Sequence, residues 1–308
     1  MALFLAIDSG GTKTRCLLAD DTRVLARAAT GSIKLTRVGE EEATRRLRAM
    51  LAEVAASAGV NLKDVTRTCA GLGGYGIDAV REWAERELAA AVGGDVILCG
   101  DEEIALEGAF KGGQGILIVA GTGAIVMGRA LDRRTGEKVN LTSGGWGHVL
   151  GDEGSGYWIG LEGLRAGFWA KDRGVPTTLL EKIGEFWDGA SLGEMVGIAN
   201  GIPAPDFAAL APVVAKCAEA GDELATAVLA RGGEELGDQV AIVAVKMREF
   251  TGGREMGVAY TGSVLEHISL VRSAMVRMLK EAAPEARVME SAADALEGAL
   301  WRARSGAA

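Results

Sequence analysis

The sequence predicts an α/β protein with two domains that each follow the order βββαβαβα. Runs of period 2 alternate with runs of period 3.6 over the first hundred residues, and the same order begins again near residue 115. Short links between the first three strands indicate antiparallel hairpins, and the helical crossovers that follow indicate parallel strands. The length of 308 residues also suits two domains of about 150 residues each.

The first domain is expected to span residues 1–113. Its predicted strands cover 3–7, 15–19, 24–28, 65–69 and 96–99, and its predicted helices cover 41–58, 77–91 and 103–110. The repeated strand-turn-strand unit at its start returns about 110 residues later, as expected of a weak internal duplication.

The second domain is expected to span residues 114–290. Its predicted strands cover 115–120, 125–130, 138–142, 257–260 and 286–289, and its predicted helices cover 155–173, 179–187, 191–200, 207–218, 222–247 and 265–282. Four of the five prolines lie between Pro176 and Pro212, which indicates a helical insertion there. A last helix is predicted over 292–304, within the segment 291–308.

Charge and composition exclude several classes of protein. The formal charge of −9 argues against an electrostatic grip on nucleic acid or on an anionic membrane. No apolar run approaches the ~18 residues that a membrane-spanning helix needs. The four cysteines form no CxxC pair and no zinc spacing. We therefore expect a soluble cytoplasmic protein.

A first candidate phosphate site follows the first strand. Its segment reads Asp8-Ser9-Gly10-Gly11-Thr12-Lys13-Thr14. Glycines allow successive N–H groups to converge on an anion, and Thr-Lys-Thr adds groups that bind phosphate. Asp8 ends a buried strand, where a carboxylate needs a partner such as a hydrated metal ion. The alternative is an ordinary hairpin with Asp8 as a turn residue.

A second glycine turn, Gly121-Thr122-Gly123, stands at the matching position of the second domain. Either turn alone is weak support for a nucleotide site. Two of them in repeated units form a pair that could hold a polyphosphate between the domains.

Asp101 and a third glycine motif lie between these turns. Asp101 follows the apolar run 96–99, at the carboxyl end of a predicted parallel strand, where open α/β sheets bind ligands. It could equally cap the helix that starts near Glu103. The segment from Gly71 to Gly76 satisfies G-x-G-x-x-G, although a dinucleotide site is disfavoured by the three strands before it.

The densest polar stretch runs from Ser143 to Gly160 and combines glycines with Trp146, His148 and Asp152. A loop of this kind is costly to order unless it builds a site. The alternatives are that Trp146 belongs to the core and that His148 is a structural histidine.

With these motifs the chain resembles the N-acetylglucosamine kinases of the BadF/BadG/BcrA/BcrD ATPase family. The most specific stretch is Gly144-Gly-Trp-Gly-His-Val-Leu-Gly-Asp-Glu-Gly-Ser-Gly-Tyr-Trp-Ile. The resemblance implies an actin-like (ribonuclease H-like) fold of two duplicated βββαβαβα domains with an interdomain cleft. It also implies that the last helix returns to the first domain, and we expect a homodimer.

The resemblance assigns roles to single residues of this chain. ATP would be bound by the two glycine turns and by an adenosine motif, at the positions Gly10, Gly11, Thr12, Lys13, Thr14, Gly121, Thr122, Gly123, Gly262 and Ser263. Mg²⁺ would be held by Asp8 through water. Asp101 would be the catalytic base and would touch the 6-hydroxyl of the sugar, with Gly145 and Asp152 also on the sugar. The motif at Gly71–Gly76 would be structural.

One departure concerns the sugar. Related kinases carry a sugar-binding asparagine after the third strand, whereas the segment 30–37 here has none. Its Lys34 and Arg37 are either solvated charges or groups that meet an acidic sugar such as N-acetylmuramic acid. Free glucosamine is a further candidate substrate.

Three other classes of protein are alternatives to this interpretation. One is the branch of the family whose ATPases activate an iron–sulfur partner, and the chain shows no cysteine loop that could hold a cluster. The second is a sugar-sensing module that binds ATP without turnover. The third, sugar kinases of the ROK type, would carry a zinc motif that is absent.

Overall fold

The computed structural model describes residues 2–306. Its contacts divide the chain into two compact units. Unit 1 comprises residues 2–113 together with 293–306, and unit 2 comprises Gln114–Ala292. The predicted segments 1–113 and 291–308 include residues 1, 307 and 308, which lie outside the described range.

Unit 1 is a five-stranded sheet with helices, in the order β3-β2-β1-β4-β5. Its elements are β1 (Phe4–Ser9), β2 (Lys13–Ala19), β3 (Val24–Gly31), α1 (Leu35–Val38), α2 (Glu40–Ala58), a 3₁₀ turn (Leu62–Asp64), β4 (Arg67–Leu72), α3 (Asp78–Ala91), β5 (Asp95–Gly100), α4 (Asp101–Phe110) and a C-terminal helix (Ala295–Ser305). Helix α2 buries Leu47, Met50 and Val54 in the core, and it ends at Gly59, whose φ of 66° is left-handed.

Unit 2 repeats this sheet with the order β10-β9-β6-β7-β8. Its elements are β6 (Gly115–Ala120), β7 (Ala124–Leu131), β8 (Lys138–Gly144), α5 (Gly156–Arg173), α6 (Leu179–Phe186), α7 (Leu192–Ala199), a 3₁₀ turn (Phe207–Leu210), α8 (Ala211–Glu219), α9 (Glu223–Thr251), β9 (Met256–Thr261), α10 (Ser263–His267), α11 (Ser269–Ala282) and β10 (Ala286–Val288). The C-terminal helix of unit 1 is therefore α12.

The duplicated α/β fold is confirmed by the strand pairing. In unit 1, β1 pairs antiparallel with β2 and parallel with β4. In unit 2, β6 pairs antiparallel with β7 and parallel with β9. The two sheets thus have one topology, and the helical insertion of unit 2 falls between β8 and β9.

The bounds of several predicted helices differ from the structure, and three of the differences have a local explanation or affect the site. The helix predicted over 207–218 is a 3₁₀ turn followed by α8, with Pro212 in the first turn of α8, where its missing N–H costs nothing. The helix predicted over 265–282 is divided into α10 and α11 at Ile268, which has φ −104° and ψ 88°. Helix α4 begins at Asp101 rather than at residue 103.

Among residues 2–306, no helix combines the length and the apolar character that crossing a membrane requires.

Candidate active site

The first glycine turn of unit 1 presents polar side chains to solvent. The turn is closed by the Gly10 N–H, which donates to the Lys13 carbonyl at 3.2 Å. Thr12 and Lys13 are exposed. Thr14 is buried, and its hydroxyl donates to the Ser9 hydroxyl at 3.3 Å. Thr12 and Lys13 therefore face solvent, whereas the Thr14 hydroxyl is used inside the unit.

Asp8 is held by an ion pair across the hairpin. Arg15 Nη2 donates to Asp8 Oδ2 at 2.6 Å, and Arg15 Nε donates to the same oxygen at 3.1 Å. Arg15 also donates to Asp294 Oδ1 at 3.2 Å. Burial raises the pKa of Asp8, and the hydrogen bond from Arg15 opposes that shift. Since Asp294 precedes α12, the last helix is tied to Asp8 through Arg15.

Asp101 lies beside the first turn, next to two glycines. Its Oδ2 is 3.4 Å from the position that a Cβ on Gly73 would take and 3.9 Å from the corresponding position on Gly10. Burial raises the pKa of Asp101 to about 8, and a hydrogen bond with Glu102 and the charges of Glu102 and Asp8 add to the shift. The structure therefore brings Asp8, Gly10 and Asp101 together in one unit, and Asp101 has the affinity for a proton that a base needs.

The glycines of the G-x-G-x-x-G motif serve packing. A side chain on Gly71 would collide with Ile104 of α4, so this glycine lets α4 approach β4 closely. The Gly73 N–H donates to the Ser9 carbonyl at 2.7 Å. The motif thus supports both the first turn and the helix that carries Asp101.

Two basic residues of the segment after β3 lie near these glycines. Arg37 Nη1 donates to the Gly11 carbonyl at 3.2 Å. Lys34 is half-buried, and its Cε is 3.8 Å from the position of a Cβ on Gly74. Within residues 2–306, the Lys34 ammonium has neither a hydrogen bond nor an ion pair.

The second glycine turn, in unit 2, is fastened to the start of α5. The Gly121 N–H donates to the Gly123 carbonyl at 2.9 Å. The Gly156 N–H donates to the Gly121 carbonyl at 2.8 Å, and the Tyr157 N–H donates to the Thr122 carbonyl at 3.2 Å. Thr122 itself is exposed.

Ala124 joins this turn to the glycine-rich loop. Its N–H donates to Asp152 Oδ1 at 3.1 Å, and its carbonyl accepts from the Gly145 N–H at 2.9 Å. Gly145 has φ +75° and Asp152 has φ +64°, the left-handed region in which aspartate is one of the few tolerated side chains. Both sugar-site candidates are therefore anchored on the residue that follows Gly123.

The same loop exposes large apolar side chains. Trp146 is 74% exposed, and Val149 and Leu150 are 82% and 77% exposed. The alternative that Trp146 belongs to the core is therefore wrong. His148 is also exposed, and its ring centroid is 4.4 Å from that of Tyr157.

The adenosine-motif candidate meets the end of β6. Gly262 has φ +101°, and a side chain there would collide with the Ala120 carbonyl. The Gly262 N–H donates to Glu266 Oε1 at 2.8 Å. Gly262 thus lies against the strand that leads into Gly121, and Ser263 is exposed.

The described residues fit a magnesium ion held through phosphate and water rather than by a protein cage. Residues 2–306 contain no cluster of three or more His, Cys, Asp or Glu side chains that could hold a metal. Mg²⁺ commonly keeps several waters and takes one or two carboxylates together with substrate phosphates. Both Arg15 contacts use Oδ2 of Asp8, so Oδ1 is left for such an arrangement.

Sequence reasoning missed four residues that surround these carboxylates. They are Glu102 beside Asp101, Arg15 on Asp8, and the pair Glu103 and Arg302 behind α4. A hairpin register could have paired Asp8 with Arg15, which lie opposite each other in β1 and β2. No local signal could have found Arg302, because it lies 199 residues from Glu103.

The sequence profile of the BadF/BadG/BcrA/BcrD ATPase family matches residues 5–303. The chain belongs to this family. It is 28% identical to an N-acetylmuramic acid/N-acetylglucosamine kinase of Clostridium acetobutylicum over 99% of each chain. It is also 28% identical to an N-acetyl-D-glucosamine kinase of Dictyostelium discoideum over 96% of each chain.

A solved structure shares the fold over nearly the whole length. It is a protein of Chromobacterium violaceum that is named provisionally as an N-acetylglucosamine kinase, with 28% identity and a TM-score of 0.74. The superposition covers 97% of this chain and 98% of that protein.

Proposed function

We propose that this member of the family is an ATP-dependent amino-sugar kinase, which transfers the γ-phosphoryl group of Mg-ATP to the 6-hydroxyl of N-acetylglucosamine. The observation that carries the proposal is the placement of Asp101, a carboxyl of raised pKa beside the first glycine turn. The relatives named as amino-sugar kinases support this substrate class.

Phosphoryl transfer depends on positioning and charge stabilisation more than on covalent chemistry. In the proposed mechanism, Asp101 accepts the proton of the sugar's 6-hydroxyl as its oxygen attacks the γ-phosphorus in line. Gly10, Gly11, Thr12 and Lys13 bind phosphate oxygens in unit 1. Thr14 would act through Ser9, since its hydroxyl is buried against that residue.

The residues of unit 2 are proposed to bind the rest of the two substrates. Backbone N–H groups of Gly121 to Gly123 and the exposed Thr122 hydroxyl would hold phosphate. Gly262 and Ser263 would meet the adenosine moiety. Gly145 and Asp152 would contact the sugar, because both are anchored on Ala124 next to that turn.

Asp8 is the residue proposed to hold Mg²⁺. The ion would neutralise charge on the phosphate oxygens. Arg15 keeps Asp8 in one orientation and offsets part of its charge. Asp8 alone is therefore a weak cation ligand, and we expect Mg²⁺ to arrive with ATP.

The first test is coupled ADP release with Mg-ATP across glucose, glucosamine, N-acetylglucosamine and N-acetylmuramic acid. The Asp101→Asn variant keeps the shape of the side chain and removes the base. We expect a sugar-dependent rate that this variant loses by ~100-fold or more, the scale of a positioned base. Sugar-independent hydrolysis that the variant leaves unchanged would overturn the kinase proposal.

N-acetylmuramic acid is a second candidate substrate, favoured by Lys34. Lys34 is half-buried, its Cε lies beside Gly74, and its ammonium has no partner in residues 2–306. Gly73, which precedes Gly74, borders Asp101. A carboxylate on the substrate would supply the missing partner. One of the relatives is named for both sugars.

The variant Lys34→Met tests this substrate range. It keeps the aliphatic stem and removes the charge. We expect kcat/KM for N-acetylmuramic acid to fall about 10-fold, as loss of one charge-assisted contact predicts, with N-acetylglucosamine unchanged. An equal change in kcat/KM for both sugars would show that Lys34 does not bind the carboxylate of N-acetylmuramic acid.

The rival functions have their own readouts. An iron-free protein with full activity would exclude the redox activator. The four cysteines are buried, and burial raises the pKa of the Cys16 thiol to about 12, which opposes metal binding there. A rate that depends on Asp101 would exclude a non-catalytic sensor. The homodimer and the cytoplasmic location stay predictions, which sedimentation and cell fractionation would test.

A further inference from the structure

Helix α12 packs against α4 at the level of the backbone. A side chain on Gly298 of α12 would collide with the Ile104 carbonyl of α4. A side chain on Gly108 of α4 would collide in turn with the Asp294 carbonyl. Two glycines at one helix crossing allow this close approach, so a small shift of α12 must be felt by α4. Asp101 is the first residue of α4.

Arg302 connects the two helices by charge. It is buried, with 7% of its surface exposed. Its Nη2 lies 3.1 Å from Glu103 Oε2 and 3.6 Å from Glu107 Oε1, and both carboxylates belong to α4. A guanidinium removed from water requires such partners. Arg302 is therefore bound to the same helix that carries Asp101.

Glu103 passes this connection to the backbone next to Asp101. While its Oε2 accepts from Arg302, its Oε1 accepts from the Gly100 N–H at 3.1 Å. The Glu103 carboxylate thus connects the Arg302 guanidinium on α12 with the N-terminal end of α4. Gly100 directly precedes Asp101 in the chain, so the contact restrains the backbone one residue before Asp101.

Asp294 provides a second link from the same C-terminal segment. It caps α12 by accepting from the Leu296 N–H at 3.1 Å, and it also accepts from Arg15. Arg15 holds Asp8. Residues 293–306 are consequently joined to both carboxylates of the proposed site in unit 1.

We propose that Arg302 is a positioning residue of the reaction. Through Glu103 and the Gly100 N–H, it holds the first turn of α4 in the place that aims the Asp101 carboxylate. The proposal rests on the proposed kinase function, in which Asp101 is the base. Displacing a reacting group by about 1 Å is enough to cost up to ~100-fold in rate.

The experiment compares four variants of the full chain at a temperature well below their unfolding transitions. Arg302→Met removes the charge, Arg302→Lys keeps it, and Glu103→Gln keeps the shape of the intermediate carboxylate. The matched control is Arg304→Met on the same helix, because Arg304 donates to the Asp20 carbonyl at 2.6 Å rather than to α4.

Two readouts separate positioning from stability. For Arg302→Met and Glu103→Gln we expect kcat to fall about 10-fold or more while KM for the sugar stays within about 2-fold. Arg302→Lys should recover part of kcat, and Arg304→Met should keep all of it. In an Asp101→Asn background, Arg302→Met should lower kcat no further, since there is no base left to aim.

Hydrogen exchange of the Gly100 amide is the readout that does not need activity. We expect it to accelerate about 10-fold or more in Arg302→Met and not in Arg304→Met. The variants could show this exchange pattern while the wild-type protein has no sugar-dependent rate. The kinase proposal and the positioning of a base would then both fail, while the link between α12 and α4 would stand. Unchanged exchange, unchanged kcat, or an equal loss in Arg304→Met would each overturn the role of Arg302.

Discussion

The two units share one topology and differ in what stands behind their glycine turns. In unit 1, Asp8 of β1 lies opposite Arg15 of β2, and the two form an ion pair. In unit 2, the corresponding cross-strand pair is Val119 of β6 opposite Ile125 of β7. One position of the duplicated hairpin thus holds charge in one copy and apolar side chains in the other.

The other groups around the two glycine turns also differ between the units. Asp101 lies beside the first turn, whereas the second turn is supported by backbone hydrogen bonds from Gly145, Gly156 and Tyr157. Ile125 also packs against Gly145, since a Cβ on that glycine would lie 2.7 Å from Ile125 Cδ1. In the proposed reaction, unit 1 would therefore supply the reactive carboxylates, and unit 2 would supply a binding surface built from backbone groups.

The largest expected effect comes from giving unit 1 the apolar pair of unit 2. We expect Asp8→Val with Arg15→Ile to lower the sugar-dependent rate by at least ~100-fold, because the proposed ligand of Mg²⁺ is removed. The free energy of unfolding should be unchanged or slightly increased, as when an apolar pair replaces a half-buried ion pair. Steady-state kinetics and chemical denaturation measure the two quantities.

The matched control for this exchange is Arg27→Met. It breaks a surface ion pair between β3 and α12, Arg27 with Glu297 at 2.9 Å, and should leave the rate unchanged. If the double variant kept wild-type activity, the division of roles between the units would be wrong.

A smaller effect is expected from Gly145→Ala in unit 2. The added methyl group would collide with Ile125, and alanine would have to adopt the φ of +75° that glycine has here. The glycine-rich loop that carries Gly145 should therefore shift. We expect KM for the sugar to rise about 10-fold with a smaller change in kcat. Gly136→Ala is the control, because Gly136 has φ +76° with nothing within 4 Å of its Cβ position. Gly136→Ala should lower the stability and leave KM unchanged. An equal rise in KM for this control would refute the explanation from the contact between Gly145 and Ile125.

The smallest effect concerns pH and belongs to unit 1. Burial and the neighbouring carboxylates raise the pKa of Asp101 to about 8, so the folded protein holds a proton that the unfolded chain has released above pH 4. The stability supplied by this proton is lost as the pH rises through 8. We therefore expect Asp101→Asn to raise the Tm by a few degrees at pH 8.5 and by less at pH 5. A Tm difference that is independent of pH would contradict the raised pKa.

Periodicity alone predicted most of the fold, because an amphipathic helix or a buried strand repeats its pattern within ten residues. Both sheets could be found in this way, whereas the candidate turns were found from glycine motifs and the insertion from the placement of prolines. The division at Ile268 could not, since its extended backbone depends on how the side chain packs in the core of unit 2.

The proposed site shows the same limit. Local signals in the sequence are enough to predict that Asp8 and Asp101 lie near strand ends next to glycines. Only the folded chain shows that Arg15 and Asp294 hold Asp8, and that Arg302 contacts Glu103 of α4. Buried charges must find partners wherever the chain brings them, and a partner 199 residues away leaves no trace in local sequence.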